Sequence, residues 1–145
     1  TTRNSEKDYQ ISWFSDTGDI RYAYMFCLYC SAESNKVELN EYSKLFPLEV
    51  GKKIKLQRKK KDKSKSWTHK IKVKKTEMLT TPISAVPVKA FVIEEKIRSN
   101  QGKWSGKRTF WWSPELAVVL KLVNNARGDG KKVTYELTDY ILPSK

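Results

Sequence analysis

The chain has 145 residues, enough for one domain with its own hydrophobic core, and its formal net charge is +13. Five Trp, seven Tyr and five Phe are too many aromatic residues for a disordered polycation, and no apolar run approaches the roughly 18 residues of a membrane-spanning helix. One His and two Cys leave little for metal-dependent or nucleophilic chemistry. We therefore expect a non-enzymatic binding domain with no metal and no cofactor.

The N-terminal part of the chain predicts a β-hairpin. Because the chain begins at Thr1 rather than Met, we interpret it as a processed piece that lacks its targeting segment. Residues 1–8 are polar, and we expect them to lead into a single β domain over residues 9–142. Tyr9–Phe14 favours a short strand, and the aromatic run Ile20–Cys30 favours a second, buried strand after a turn-forming cluster that contains Gly18.

Cys27 and Cys30 form a C-x-x-C motif inside that aromatic run. In redox proteins such a motif lies at the N-terminus of a helix, where the helix dipole lowers the thiol pKa. In a strand, residues three apart point to opposite faces, which argues against a redox or metal site. Two alternatives remain for these cysteines: reduced, structural side chains, or a local disulfide between Cys27 and Cys30.

Most of the positive charge lies in one segment, residues 52–75, which holds twelve Lys and Arg58 against the single acid Asp62. The rest of the chain has a net charge of only +1. The sequence pI of about 9.7 is therefore a property of this segment and not of the whole domain.

Alternation in the segment predicts a β-hairpin. Ile54 and Leu56 alternate with Lys and Gln, and from Trp67 to Val73 every second residue again belongs to one face. We expect one apolar face, one lysine face and a very basic tip near residues 59–66. The lysines that we expect to contact an anionic partner are Lys59, Lys60, Lys61, Lys63, Lys65, Lys70, Lys72 and Lys74.

This hairpin has two other interpretations, nucleic-acid binding and a solvated lysine face. Proteins that bind nucleic acid interleave aromatic and basic side chains. In this segment Trp67 is the one aromatic residue of that kind, and the alternation places it on the apolar face. Phosphate and base recognition favours Arg, whereas Lys dominates the segment. The alternative is a solvated lysine face that protects a sheet edge from pairing with other chains.

The remaining elements follow in chain order. Val37–Phe46 fits either a short helical turn or a strand end. Residues 80–87 contain Pro82 and Pro87, which interrupt regular secondary structure there. Val88–Ile97 predicts a strand, Asn100–Gly106 a loop, and Val133–Leu142 a last strand; Thr109 to Trp112 reads as a strand end.

Ser113–Leu116 is ambiguous. Ser113 at a helix N-cap and Pro114 at the first helical position are typical of a helix start. The β-branched residues Val118, Val119 and Val123 that follow favour a strand instead. Local propensity leaves both structures open.

Four pieces of the chain, in order, resemble a group of exported bacterial β-domains. They have the patterns P-L-x-V-G-K, V-P-x-x-x-F, T-x-W-x-x-P-E-L-x-x-V-x-K and E-L-x-x-Y, and they lie at Leu45–Lys52, Val86–Ile93, Thr109–Lys121 and Glu136–Tyr140. The resemblance implies a single antiparallel, strongly curved sheet of consecutive hairpins, as in a half-barrel or small sandwich, with at most one short helical turn. It also implies a turn at Ser113–Leu116 and carries no catalytic residues.

This chain departs from those domains at two places where they have glycine. Ala117 stands after the Glu-Leu pair, and Val88-Lys89 stands where Ala-Gly is usual. Glycine at such positions allows a positive φ or a β-bulge, so the turn argument is weaker at both places.

Other candidate residues have ordinary structural interpretations. Arg127-Gly128-Asp129 is a tripeptide that some integrins bind, but it lies in a segment typical of a hairpin turn. His69 alternates with apolar residues and so packs at the core edge, and Ser113 lacks the surroundings of a catalytic serine. Three Trp side chains are candidates to line a ligand or partner groove: Trp104, Trp111 and Trp112.

Taken together, these features predict an all-β binding or assembly module of a bacterial envelope protein, in the periplasm or at the cell surface. We expect its partner to be another envelope protein or an anionic surface. One alternative is a carrier of a lipid or other hydrophobic ligand in a curved-sheet groove. A second is non-specific nucleic-acid binding.

Overall fold

The structure is a computed structural model, which describes strand segments 2–4, 10–14, 20–23 and 26–27, and then residues 39–60, 64–127 and 130–138. Side chains are described from Glu41 onward within those ranges. Within these ranges the structure is nearly all β and has one short helix. Within these ranges no helix has the length and hydrophobicity needed to cross a membrane.

In the described part of the chain, ten strands form two antiparallel sheets, and within each sheet strands that follow one another in the sequence are paired. The four-stranded sheet consists of β1 (Thr2–Asn4), β2 (Gln10–Phe14), β3 (Ile20–Ala23) and β4 (Phe26–Cys27). A short helix, α1 (Leu39–Ser43), precedes the second sheet. The six-stranded sheet consists of β5 (Lys53–Lys59), β6 (Ser66–Leu79), β7 (Val88–Ser99), β8 (Ser105–Ser113), β9 (Val118–Asn125) and β10 (Val133–Glu136).

The N-terminal sheet confirms the hairpin of β2 and β3 but differs from the sequence-based prediction at two points. The run Ile20–Cys30 is not one strand, because the chain reverses and Ala23 pairs with Phe26 across β3 and β4. An aromatic run without Gly or Pro gives no signal of a reversal. Strand β1 lies within the segment that was expected to be a polar lead-in. The predicted turn at 15–19 lies outside the described residues.

The six-stranded sheet is an open series of consecutive hairpins. Strands β5 and β10 form its two edges, and no pairing between them occurs among the described residues. Strands make up more than half of the described residues between 50 and 138. The predicted class, an all-β fold built from consecutive antiparallel hairpins, is confirmed.

The larger hydrophobic core lies on one face of this sheet, under α1 and the turn that follows it. Period-two alternation aims one side chain in two from each strand at this face, so β5 to β8 all contribute to the core. Helix α1 supplies Tyr42, and Phe46 meets the Trp112 ring edge-on, with centroids 6.1 Å apart. The fully packed members are Tyr42, Leu45, Leu56, Ile71, Val73, Ile93, Phe110, Trp112 and Ala117.

A second, smaller cluster lies on the opposite face. Val88 and Ala90 of β7 pack there with Leu120, and Trp111 lies partly buried against them. Two β-bulges, at Val73/Lys75 and at Trp111/Trp112, shift the alternation next to this cluster. Because the two clusters lie on opposite faces, this part of the sheet has apolar residues on both faces.

Residues 114–117 form a turn between β8 and β9, which is the structure that the resemblance implied. The Ser113 hydroxyl accepts a hydrogen bond from the Leu116 amide at 3.0 Å, as a helix N-cap would, but the chain continues into a strand. Ala117 has a φ of +52°, in the left-handed region that glycine favours. The backbone at this position therefore suits glycine, the residue that the resemblance led us to expect there.

Two boundaries differ from the prediction. Strand β8 begins at Ser105, so Gly106 lies in a strand and not in the expected loop. A Cβ atom on Gly106 would lie 2.7 Å from the Cα atom of Ala126, so this close approach needs glycine. At the other end β10 stops at Glu136, short of the predicted limit, and residues 139–142 lie outside the described part of the chain.

Candidate functional site

The predicted basic hairpin is present as β5 and β6. Ile54 lies opposite Ile71 on the core face, and Lys55 lies opposite Lys70 on the other face. Lys53 and Lys72 form a second opposed lysine pair. Arg58 differs from the prediction, which placed it in the basic run, because it faces the core and is buried.

The lysine face continues beyond the hairpin. Lys70 lies opposite Lys96 of β7, and Lys96 lies opposite Lys107 of β8. Four exposed lysines, one from each of four adjacent strands, thus form a line across the sheet, which we call the lysine row: Lys55, Lys70, Lys96 and Lys107. Because neighbouring strands lie about 4.8 Å apart, the row spans about 14 Å.

Glu94 is the one acidic side chain that lines the surface around the row, among the described residues. Its carboxylate lies 3.4 Å from the Lys96 ammonium and 3.5 Å from that of Lys107. Burial on its own would raise the pKa of Glu94, but the charges of Lys107, Lys74 and Lys96 together lower it. Glu94 is therefore ionised at neutral pH and offsets only part of the positive charge.

The row lies in an open groove, which we call the basic groove. Its larger part has a volume of about 960 Å³ and a second part of about 600 Å³, and the two parts share Lys55, Lys70 and Lys96. The larger part is lined by six cationic residues and no acidic one: Lys55, Lys70, Lys96, Arg98, Lys107 and Arg127. The smaller part adds Lys53, Lys72 and Lys74.

Amide and hydroxyl groups hold the two hairpins together at the end of this groove. The Asn100 side chain donates to Gln57 at 2.9 Å and to the Ser66 hydroxyl at 2.7 Å, and it accepts from the Thr68 hydroxyl at 2.7 Å. Gln101 accepts a hydrogen bond from the Ser66 backbone amide at 2.8 Å. These hydrogen bonds fix the loop after β7 against the hairpin of β5 and β6.

The three candidate tryptophans lie in three different environments. Trp104, 37% exposed, lines the basic groove beside Arg98 and Arg127. Trp111 donates to the Glu77 carboxylate at 3.0 Å. Trp112 is buried in the larger core, so it does not line the groove.

Among the tip lysines, the structure describes Lys59, Lys60 and Lys65. The backbone amide of Lys60 donates to the Lys65 carbonyl at 2.8 Å, which continues the hairpin pairing by one step. Lys61 and Lys63 lie outside the described residues. Cys30, Gly128 and Asp129 lie outside them as well, so the disulfide and tripeptide hypotheses stay predictions.

A buried polar cluster that the sequence did not lead us to predict lies on the core face of the sheet. Glu95 is 2% exposed, and its two carboxylate oxygens contact His69 Nδ1 at 3.1 Å and an Arg108 guanidinium nitrogen at 2.9 Å. Burial favours a raised Glu95 pKa, but the hydrogen bonds and charges of His69 and Arg108 lower it. The alternation along β7 does indicate a buried position for Glu95, because Glu95 lies between Ile93 and Ile97 on the core face.

The cluster extends to α1 through a hydrogen bond between Tyr42 and Arg58. Burial is the main reason that the pKa of Tyr42 rises to about 12. In the described part of the chain, every buried side-chain nitrogen and oxygen has a hydrogen-bond partner. These groups are therefore paired with one another inside the core, which is the arrangement of a structural network.

The described residues contain no group of three or more His, Cys, Asp or Glu side chains able to hold a metal ion. Comparison of the chain with models of protein families, with curated proteins and with solved structures found no match. The resemblance to exported β-domains thus stays a prediction, and the functional argument depends on the geometry of the basic groove.

Proposed function

We propose that this protein is a non-catalytic binding module that holds an anionic partner in the basic groove. The lysine row is the observation that carries the proposal. Like charges directly opposite each other on neighbouring strands destabilise a sheet, and here they are repeated across three strand pairs. A bound anion offsets that repulsion, and Glu94 is too little charge to do so alone.

The position of the row argues against a purely protective role for the lysines. Lysines on an edge strand prevent edge-to-edge pairing, and this accounts for Lys55 on β5. Lys70, Lys96 and Lys107, however, lie on β6, β7 and β8, which have paired neighbours on both sides. An interior strand has no open edge to protect, so another explanation is needed for these three lysines.

The lining of the groove favours an anionic partner over a hydrophobic ligand. Its larger part contains six cations and polar side chains such as Asn125 and Ser105. Apolar side chains instead fill the two packed clusters. On the resemblance alone, we place the module in the bacterial envelope, in the periplasm or at the cell surface.

Binding to heparin–agarose tests the proposal. The variant Lys55→Gln/Lys70→Gln removes two charges from the row, and Lys44→Gln/Lys89→Gln is the matched control with the same net charge. Lys44 follows α1, and Lys89 lies over the Phe91 ring on the opposite face of the sheet. We expect the row variant to elute at clearly lower salt than the control. Equal elution of the two variants would contradict a role for the row.

A further inference from the structure

We infer that the anionic partner is an acidic, extended segment of another protein, which pairs with the open edge of β5 as a seventh strand of the sheet. This inference rests on the proposed function and specifies its partner, because Lys53 and Lys55 of β5 also line the basic groove. Three observations carry it: the regularity of the open edge, the direction of its main-chain groups and the place where the lysine row ends.

The outer edge of β5 is long and regular. Strand β5 has seven residues, and in the described part of the chain no strand pairs with its outer side. Natural sheets protect such an edge by a short strand, a β-bulge, a proline or lysines. The register of β5 on β6 runs without a bulge, and β5 contains no proline. Lysine is therefore the device that protects this edge, so the edge excludes other strands by charge and not by geometry.

The hydrogen bonds at the two ends of the hairpin determine which main-chain groups face the open side of β5. The Lys60 amide donates to the Lys65 carbonyl at 2.8 Å, and the Val73 amide donates to the Lys52 carbonyl at 2.9 Å. Because hydrogen-bonded and non-hydrogen-bonded pairs alternate in an antiparallel pair of strands, the even-numbered residues of β5 bond to β6. The N–H and C=O groups directed to the open side are those of Lys53, Lys55, Gln57 and Lys59.

These four residues also have their side chains on the lysine face, which determines the sequence pattern of the partner. A residue that bonds to Lys55 from an added antiparallel strand lies directly opposite it and places its side chain on the same face. The lysine row ends at Lys55, and cross-strand pairs of opposite charge stabilise a sheet, so a carboxylate fits there. The next residue of the added strand lies beside Ile54, at the rim of the larger core. The geometry therefore points to a segment in which acidic and apolar residues alternate.

Other occupants do not match both the charge and the main-chain groups of this edge. A second copy of β5, paired with matching faces, places lysine or glutamine opposite lysine, and opposed like charges destabilise a sheet. A membrane surface or a phosphate polymer is attracted by lysines but forms no main-chain hydrogen bonds of the kind that an added strand forms. Protection of the outward main-chain amides therefore distinguishes an added strand from these occupants.

Amide hydrogen exchange of the full chain tests for that protection. The probe is a capped peptide of about eight residues in which glutamate and valine alternate, long enough to match β5. We expect it to slow exchange at Lys55 and Gln57 at least about tenfold, whereas Leu56, which already bonds to β6, stays unchanged. The same peptide with glutamine in place of glutamate is expected to bind about tenfold more weakly.

Methylation of peptide nitrogens separates strand pairing from attraction by charge. In the inferred complex the glutamate N–H groups face β5, and the valine N–H groups face away from it. Methylation of two glutamate nitrogens is expected to weaken binding about tenfold or more, because two hydrogen bonds are lost, whereas methylation of two valine nitrogens changes it by less than about twofold. The two methylated peptides have the same charge and the same composition, so the comparison is matched.

Variants of the protein test the lysines of the edge. Lys53→Gln/Lys55→Gln is expected to weaken binding of the glutamate peptide about tenfold. Lys44→Gln/Lys89→Gln, the control with the same net charge, is expected to leave binding unchanged. Circular dichroism of each variant confirms that it is folded.

The inference fails if the glutamate peptide does not bind, if it binds without protecting Lys55 and Gln57, or if the two methylated peptides bind equally. Vesicles of phosphatidylglycerol that bind through Lys55 and Lys70, in place of the peptide, would identify a membrane surface as the partner instead. In each of these cases the proposed function survives as long as Lys55→Gln/Lys70→Gln elutes from heparin–agarose before its control. If the two elute together, the proposed function fails as well.

Discussion

Lys96 and Lys107 face each other across β7 and β8, and both ammonium groups approach the carboxylate of Glu94, at 3.4 Å and 3.5 Å. One carboxylate therefore serves two cations of the lysine row. Its removal leaves both lysines without a partner carboxylate in this part of the described structure, so stability and ligand affinity are expected to change in opposite directions.

Glu94→Gln tests this relationship. We expect a loss of up to about 1 kcal/mol in the free energy of unfolding, because both lysines are largely exposed and water screens the ion pairs. Polyanion affinity is expected to rise, since the site loses its one negative charge. Urea unfolding and a binding titration at fixed salt measure the two effects. A variant that loses stability and also binds polyanions more weakly would contradict this role of Glu94.

The buried Glu95 predicts a loss of stability in acid. Its pKa lies below the ordinary value of 4.5 in the folded protein, because His69 and Arg108 more than offset the effect of burial. The ionised carboxylate therefore stabilises the fold at pH values above the ordinary pKa. This contribution is lost as the pH falls through the pKa that Glu95 has in the folded protein. Urea unfolding from pH 7 to pH 2 measures it.

Glu95→Gln is the control for that acid transition. The substitution leaves the Arg108 guanidinium without its buried carboxylate, so we expect a loss of about 3–5 kcal/mol at neutral pH. The stability of the variant is also expected to depend less on pH in the acid range. An acid transition as steep as that of the parent protein would exclude Glu95 as its source.

Tyr42 predicts a second loss of stability, in alkali. Its pKa is raised to about 12 in the folded protein, from an ordinary value of 10, so the folded state favours the neutral phenol. This contribution is complete below pH 10 and is lost as the pH rises through the folded pKa, at up to about 1.4 kcal/mol per pH unit. Tyr42→Phe keeps the packed ring and is expected to flatten this part of the pH profile. Unfolding measured between pH 9 and pH 12 compares the two proteins.

Gly106→Ala is expected to lower stability by about 1–3 kcal/mol. The added methyl group would lie 2.7 Å from the Cα atom of Ala126, and a backbone atom cannot move aside at low cost. Gly102→Ala is the matched control, because its nearest neighbour is the Ser99 hydroxyl at 3.6 Å. Thermal unfolding should separate the two variants, with the control within about 0.5 kcal/mol of the parent protein.

At Ala117 we expect a larger side chain to destabilise the fold much more than a smaller one does. Ala117→Val is expected to cost about 2 kcal/mol or more, because a β-branched residue is strained at φ +52° and the site is 1% exposed. For Ala117→Gly, relief of the strain is offset by the lost methyl group and by the greater freedom of the unfolded chain. We expect a change of less than about 1 kcal/mol, measured by urea unfolding. Similar losses for both variants would show that packing alone governs the site.

The sequence predicts the hairpin of β5 and β6 well, because alternation is a local signal and a hairpin is a local structure. The lysine row is different. Lys96 and Lys107 lie 26 and 37 residues beyond Lys70 in the sequence, and neither belongs to the basic segment 52–75. Only the register of the β6–β7 and β7–β8 pairs brings them into line, and register is a property of paired strands that no single segment encodes.

Two other differences have separate physical causes. The aromatic run Ile20–Cys30 lacks a turn residue, so nothing local marks the reversal between β3 and β4. Glu95 does follow the alternation of β7, but a carboxylate is expected on a solvent face unless its partners are known. Those partners, His69 and Arg108, come from the two neighbouring strands and become visible only when the strands are paired.

The alternation of the lysines with core residues also determines which strand pairing is possible. Along β6, Lys70 and Lys72 are each next to a fully buried residue, Ile71 and Val73. A slip of β5 or β6 by one residue would turn every side chain of that strand to the other face and place ammonium groups among the packed apolar side chains. The cost of desolvating an unpaired ammonium excludes the slipped arrangement. The lysines that form the groove therefore also act as a safeguard against misfolding, whether or not a ligand is bound.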